Sequence, residues 1–158
     1  MRLEYFLLVD RVVNLDLTAG TIRCEAAVPD KSTIFEGHFP GYPLMPGVLL
    51  IETMAQTSGW MLVAKYNFRR MPFLAVVKDA KLRSFVSPGQ TLAAEAKLAH
   101  DGSGFAVTEA SIACEGKTVC DASITFRIVD FPNQDFAGEM RKLAAAIGLA
   151  NGEALADG

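Results

Sequence analysis

Five stretches of the chain alternate between apolar and polar residues, which predicts β-strands over residues 21–28, 72–83, 91–98, 105–114 and 118–128. In the first of these, Ile22 and Cys24 fall on one side and Arg23 on the other. Residues 6–13 are rich in β-branched and aromatic side chains and predict one further strand or the entry into a strand. Residues 47–66 are instead apolar on most sides of a helix, which is typical of a buried helix.

The order of these elements predicts an α+β fold. An apolar helix needs cover on most of its sides, and the antiparallel strands are numerous enough to supply it, so we expect a sheet that curls around the helix. Residues 1–130 are predicted to form this single domain, and residues 131–158 to form a C-terminal extension. Within the extension, residues 136–149 predict a helix, and residues 151–158 are expected to be a frayed tail.

Composition narrows the class of protein. Hydrophobic residues make up 51% and charged residues 21% of 158 positions, which indicates a globular chain with a substantial core. The net charge is −3 and the longest basic run is Arg69-Arg70, which argues against nucleic acid as the main partner. No apolar run reaches the ~18 residues that a membrane span needs. The first residues are also too few and too acidic for a signal peptide.

The cysteines favour a cytoplasmic protein. Cys24, Cys114 and Cys120 are odd in number and contain no C-x-x-C pair. We therefore interpret them as reduced thiols on strands rather than as metal ligands or disulfide partners.

A proline-rich loop presents one of the two histidines, His38. Pro40, Pro43 and Pro46 follow it at regular spacing. Each proline fixes its own φ and restricts the residue before it, so the loop loses little entropy on ordering. Such a loop can hold a catalytic side chain in one place, and histidine is suited to accept a proton near neutral pH. The alternative is a loop histidine that makes one structural hydrogen bond.

The predicted helix carries one carboxylate, Glu52, with Gln56 four residues later on the same face. Apolar surroundings disfavour the charged form of a carboxyl group, so Glu52 is a candidate proton donor that Gln56 could orient. Glu52 could instead face solvent at a dimer seam.

Gly47 is the third candidate, because it lies in the first helical turn, where backbone N–H groups lack intrahelical partners. Without a side chain, Gly47 would let a substrate carbonyl approach its N–H closely, although a glycine here could also serve only a tight helix start. A base, an acid and an oxyanion donor together are what proton abstraction next to a carbonyl requires.

This region resembles the signature of the bacterial 3-hydroxyacyl-[acyl-carrier-protein] dehydratases of dissociated fatty acid synthesis. The residues that carry the likeness are Gly37, His38, Phe39, Pro40, Pro43, Met45, Pro46, Gly47, Val48, Leu49, Glu52, Ala55 and Gln56. Further likeness lies in "FLLVDRV" at 6–12, "SPGQ" at 87–90 and "GKTVCDASITF" at 116–126, so that it covers roughly residues 5–129.

The resemblance implies a hot-dog fold and a homodimer, often assembled into a hexamer as a trimer of dimers. Each active site would join His38 of one subunit to Glu52 of the other. His38 would remove a C2 proton from a (3R)-3-hydroxyacyl thioester, the Gly47 N–H would stabilise the thioester oxygen, and Glu52 would protonate the leaving hydroxyl. The resemblance implies no metal and no redox cofactor. It also implies that the acyl group arrives on the phosphopantetheine of acyl carrier protein.

Two further sets of residues are expected to serve the substrate. One set would line the acyl tunnel: Val48, Met54, Trp60, Phe73 and Leu74. The other would form a basic rim that captures the acidic carrier protein: Arg69, Arg70, Lys78, Lys81 and Arg83. The alternative for the second set is an ordinary solvated surface.

The resemblance also bears on the subtype. A related family that isomerises the new double bond has aspartate, cysteine and tryptophan where this chain has Glu52, Val48 and Ala55, which favours a dehydratase without isomerase activity. "HDGSGFAVT" at 100–108 and the extension resemble specialised rhizobial dehydratases that make very-long-chain acyl groups for lipid A. Two alternatives stay open, a hot-dog acyl thioesterase and a catalytically silent acyl-binding scaffold. The presence of both His38 and Glu52 argues against each of them.

Overall fold

The computed structural model describes residues 1–150 and 153–154. Its main element is one antiparallel sheet in the order β1-β2-β4-β5-β6-β3. The strands of this sheet are β1 Arg11–Asp16, β2 Thr21–Ala27, β3 Arg70–Leu82, β4 Thr91–Gly102, β5 Phe105–Cys114 and β6 Lys117–Asp130. The helices are α1 Thr33–Gly37, α2 Gly47–Lys65 and α3 Gln134–Ala146, and the short strands β7 Leu149–Ala150 and β8 Glu153–Ala154 pair with each other.

Helix α2 lies against β2, β3, β4, β5 and β6, so the sheet curls around it as predicted. Met54 and Leu62 are fully buried on this helix, and so are its hydroxyl-bearing residues Thr57 and Ser58. The hydroxyls are paired, because Thr57 donates to a carbonyl one turn back and Ser58 Oγ lies 2.8 Å from Thr108 Oγ1 of β5. Although α2 is buried on nearly all sides, no buried side-chain polar atom among the described residues lacks a hydrogen-bond partner.

Most predicted elements are present, with small shifts at their ends. Strand β5 has the predicted bounds, α2 ends one residue earlier than predicted, and α3 begins two residues earlier. Among the described residues, no helix is both long enough and apolar enough to cross a membrane. Of the tail predicted to fray over 151–158, only residues 153–154 are described, and they belong to β8.

Of the strand or strand entry predicted over residues 6–13, only residues 11–13 belong to a strand. Phe6 adopts a left-handed backbone conformation with φ of 59°, which interrupts an extended strand. The N–H of Leu8 donates to the side chain of Gln56 at 3.0 Å rather than to a neighbouring strand. Regular pairing therefore begins only at Arg11. An apolar sequence alone did not reveal that a helix side chain would take the place of a strand partner.

Strand β3 is an outer strand of the sheet, because it pairs with β6 alone. It also exposes large apolar side chains, including Phe73 at 54% and Val76 at 53%. An apolar edge strand is a surface that a second chain can cover.

The C-terminal extension packs onto the domain through several contacts. The Arg141 guanidinium lies 4.5 Å from the centre of the Phe68 ring, which is a cation–π distance. The carbonyl of Ile147 accepts a 2.7 Å hydrogen bond from the N–H of Val12, and Leu149 is buried in the core. Residues after the predicted domain boundary thus complete part of the core.

The buried thiols predict a loss of stability at alkaline pH. Burial raises the pKa of Cys24 from 9.0 to about 12 and that of Cys120 to about 11. Above about pH 9 the unfolded chain loses these protons while the folded chain keeps them, so stability falls as pH rises toward 12. For Cys24 alone the loss between about pH 8 and about pH 10 is on the order of 1 kcal/mol. Urea unfolding of the wild type and Cys24→Ala at both pH values measures it. An equally steep pH dependence in both proteins would contradict the assignment to Cys24.

Candidate active site

The ring of His38 is fixed by the loop that follows it. His38 Nδ1 lies 2.9 Å from the carbonyl oxygen of Leu44, and the Leu44 N–H donates to the His38 carbonyl at 2.9 Å. A carbonyl can only accept, so Nδ1 carries the hydrogen and the lone pair of neutral His38 is on Nε2. The ring also stacks on Phe39 with centroids 4.1 Å apart. His38 therefore makes the structural hydrogen bond of the alternative interpretation and still leaves Nε2 as a candidate base.

The far end of this loop is anchored to the rest of the chain just before α2. Leu44 and Met45 are buried, and the N–H of Met45 donates to the carbonyl of Val86 at 2.8 Å. Pro46 then occupies the N-cap position of α2, whose first residue is Gly47. The histidine and the start of the helix are consequently held by one continuous, anchored segment.

His38 and Gly47 line the same cavity, which has a volume of about 500 Å³. A Cβ at Gly47 would overlap Cδ1 of Leu82, so even alanine would require the Leu82 side chain to move. At the first position of α2 the Gly47 N–H has no carbonyl one turn earlier in the helix to bond. The cavity thus combines a candidate base with a helix start that favours negative charge.

Glu52 lines a different cavity of about 350 Å³. Gln56 holds its carboxylate, because Gln56 Nε2 donates to Glu52 Oε1 at 3.1 Å and to the Phe6 carbonyl at 2.9 Å. Gln56 Oε1 accepts the N–H of Leu8 at 3.0 Å. The amide of Gln56 therefore orients the acid, as the shared helix face predicted. It also ties the acid to the N-terminal segment, which the sequence did not predict.

Three of the predicted tunnel residues, Trp60, Phe73 and Leu74, line the Glu52 cavity. Met54 is instead fully buried in the core, and Val48 is 70% exposed. Neither of these two lines the His38 or the Glu52 cavity, so their role in a tunnel stays a prediction.

Among the residues of the Glu52 cavity that sequence reasoning missed are Phe6, Leu7 and Met140. The first two were assigned to a strand, and Met140 lies on α3 in the extension. The available signal for Met140 was its apolar position on the otherwise polar helix α3. Such a position predicts contact with the rest of the protein but not with a particular cavity.

The predicted basic rim is partly neutralised by acids. Arg70 pairs with Asp130 at 3.3 Å, and Arg83, which lines the His38 cavity, pairs with Asp121 at 2.5 Å. The other members of the rim, Arg69, Lys78 and Lys81, are exposed. Within residues 1–150 and 153–154, these three form no ion pair.

Solved structures with the same architecture define the fold class. The chain superimposes on the putative thioesterase yhdA from Lactococcus lactis with a TM-score of 0.66 and 14% identity, covering 83% of this chain and all of that one. The dehydratase heterocomplex ApeI:P from Xenorhabdus doucetiae gives a TM-score of 0.61 and 19% identity, covering 85% and 89%. At these identities the likeness concerns the fold alone, which is the hot-dog fold.

Sequence relatives define the family. Residues 2–123 match the FabA-like domain. The chain is 38% identical to the 3-hydroxyacyl-[acyl-carrier-protein] dehydratase FabZ of Fusobacterium nucleatum, over 79% of this chain and 88% of that protein. It is 36% identical to FabZ of Lactococcus lactis subsp. cremoris, over 78% and 85%. The chain therefore belongs to the FabA-like family of 3-hydroxyacyl-[acyl-carrier-protein] dehydratases.

The hydrogen bonds of Gln56 generate a prediction about the N-terminal segment. In Gln56→Ala the Leu8 N–H loses its acceptor, so we expect its exchange with solvent to rise at least about tenfold. Hydrogen exchange followed residue by residue by NMR measures this. The N–H of Val28, which donates to the Gln90 carbonyl at 2.9 Å, provides an internal control that should not change. Unchanged exchange at Leu8 would show that the hydrogen bond contributes nothing to holding the segment.

Proposed function

We propose that this protein removes water from (3R)-3-hydroxyacyl-[acyl-carrier-protein] to give trans-2-enoyl-[acyl-carrier-protein] in fatty acid synthesis. The observation that carries the proposal is that the candidate base, His38, and the candidate acid, Glu52, are each held in place by a hydrogen bond. His38 presents Nε2 beside the start of α2, and Gln56 holds the Glu52 carboxylate at an apolar cavity. The names of the relatives support this reaction and this carrier.

The separation of the two groups supports an active site made by two copies of the chain. His38 and Glu52 line different cavities of one subunit. Phe73 and Val76 on the outer strand β3 are about half exposed, as is Leu82 beside the His38 cavity. Pairing of two copies along β3 would cover this surface and bring the cavity of one subunit toward that of the other. We therefore propose a homodimer, and a hexamer of three dimers is compatible with the same contact.

The proposed reaction uses one proton acceptor and one proton donor. His38 Nε2 takes the C2 proton, and the electrons of that C–H bond form the C2–C3 double bond as the C3–O bond breaks. The Gly47 N–H stabilises the negative charge that develops on the thioester oxygen. Glu52 of the other subunit acts as the general acid and gives a proton to the leaving hydroxyl, which departs as water. The protein supplies these groups itself, without a metal or redox cofactor, and the substrate is carried on the phosphopantetheine of acyl carrier protein.

The second part of the proposal concerns the length of the acyl chain that the protein accepts. The apolar lining of the Glu52 cavity suits an acyl chain, and the extension resembles the subtype that makes very-long-chain groups for lipid A. We propose that long acyl chains are accepted, and incubation with carrier proteins bearing short, medium and very long 3-hydroxyacyl groups tests this.

His38→Ala and Glu52→Gln are each expected to slow water loss by about 10²- to 10⁴-fold, because each removes one proton-transfer group. Enoyl product is followed by mass. When the two variants are unfolded, mixed equally and refolded, half of the dimers contain one of each, and one of their two sites is intact. We expect roughly a quarter of the wild-type rate to return.

The outcomes separate the alternatives. No recovery in the mixture, with mixed dimers present, would place both groups in one subunit. Release of free thiol by the wild type would support the thioesterase. Normal binding of carrier protein with no reaction at any length would support the scaffold.

The exposed cations Arg69, Lys78 and Lys81 are proposed to guide the acidic carrier protein. Lys81 lies near the end of β3, two residues before Arg83, which lines the His38 cavity. Lys81→Glu should therefore slow association with the carrier protein roughly tenfold at low ionic strength. Lys117→Glu, at the exposed first residue of β6, is the matched control and should leave association unchanged. Stopped-flow mixing with labelled carrier protein measures the rate. Equal rates for Lys81→Glu and the wild type at low salt would reject the docking role of Lys81.

A further inference from the structure

The wall of the Glu52 cavity includes a residue from outside the region that matches the family. The FabA-like match ends at residue 123, whereas Met140 lies on α3. Met140 is half-buried and lines the same cavity as Glu52 and Trp60. The extension therefore contributes directly to the pocket that holds the candidate acid.

The cavity runs along one face of α2. Its lining residues from that helix recur every three or four positions: Glu52, Ala55, Gln56, Gly59, Trp60 and Val63. With a rise of 1.5 Å per residue, Glu52 and Val63 are separated by roughly 16 Å along the helix axis. An acyl chain whose C3 lies at Glu52 would thus extend toward the C-terminal end of α2.

Met140 is held at that distant end. The next residue, Arg141, stacks on Phe68 and donates to the carbonyl of Asn67 at 3.3 Å, and both partners follow α2 directly in the chain. Met140 precedes Arg141 in α3, so its Cα lies about 3.8 Å from that of a residue bound just beyond the C-terminal end of α2.

The start and end of α3 are also anchored. Asn133 Oδ1 accepts the N–H of Phe136 at 2.8 Å, and the Phe136 ring packs edge-on against Phe131 with centroids 5.4 Å apart. Ala144 in the last turn is fully buried. A helix fixed at both ends can act as a wall of constant position.

We propose that Met140 forms the end wall of the acyl pocket and limits the length of acyl chain that the protein accepts. The inference rests on the proposed dehydratase function and adds a specificity-determining residue to it. Methionine is unbranched and flexible, so its side chain fills the end of an apolar pocket closely. A smaller residue would lengthen the pocket, and a larger one would shorten it.

The test compares substitutions of opposite size at Met140 with a control on the same helix. Met140→Ala should raise the ratio of kcat/KM for the longest to the shortest accepted 3-hydroxyacyl chain by about tenfold or more, and Met140→Trp should lower it by a similar factor. Leu143→Ala removes a side chain that is 38% exposed and does not line the cavity, so its ratio should equal that of the wild type. Acyl carrier proteins of graded chain length serve as substrates for all four proteins.

The length profile separates failure of this inference from failure of the proposed function. A wild type that dehydrates no chain length would reject the function itself. An active wild type whose profile is unchanged in both Met140 variants would overturn the end-wall role. Thermal melts identify a variant that has lost its fold. If one Met140 variant does not fold, the other still tests the inference, because each has its own expected change in the chain-length ratio. A uniform loss of activity at every length in both variants would indicate a purely structural residue and would also overturn the inference.

Discussion

The burial of α2 inside a curled sheet is the constraint on which the rest of the structure depends. The helix is apolar on nearly every side and its hydroxyl groups are paired internally or with β5, so it has one position in the core. Two cavities are defined by this helix, one at its first turn with His38 and one along the face that carries Glu52. The locations of the candidate base and acid therefore follow from how one helix is packed.

Both candidate groups are held before any substrate arrives. His38 is bonded across its own loop, and Glu52 is bonded to Gln56, which also binds the N-terminal segment. Side chains that are already in position lose less entropy when a reaction begins. The two groups are nevertheless in separate cavities of one chain, which is why the proposed site needs a second copy. The apolar outer strand β3 is the surface through which that copy would approach.

The C-terminal extension contributes a wall residue to the cavity that holds the candidate acid. Helix α3 follows the region that matches the FabA-like domain, and it contacts the segment directly after α2. In the proposal, its Met140 meets the Glu52 cavity at the end away from the acid. Selectivity for the substrate and chemistry on the substrate would then lie at opposite ends of one helix.

The sequence by itself determined the elements whose signal is local. Period-two alternation predicted β5 with its observed bounds, and continuous apolarity predicted the buried α2. The spacing of Glu52 and Gln56 predicted their hydrogen bond, because residues four apart on a helix are neighbours wherever the helix lies. The proline spacing likewise predicted a well-held His38.

Only the tertiary structure decided what depends on distant segments meeting. Phe6 and Leu8 bind the side chain of Gln56 instead of continuing a strand, and Met140 reaches a cavity formed mostly by residues far earlier in the chain. The same holds for Met54, which faces the core although it shares the helix with the cavity residues. Local patterns report the period of an element and its apolar face. Which other element covers that face is set by packing across the whole chain, and no short window of sequence contains it.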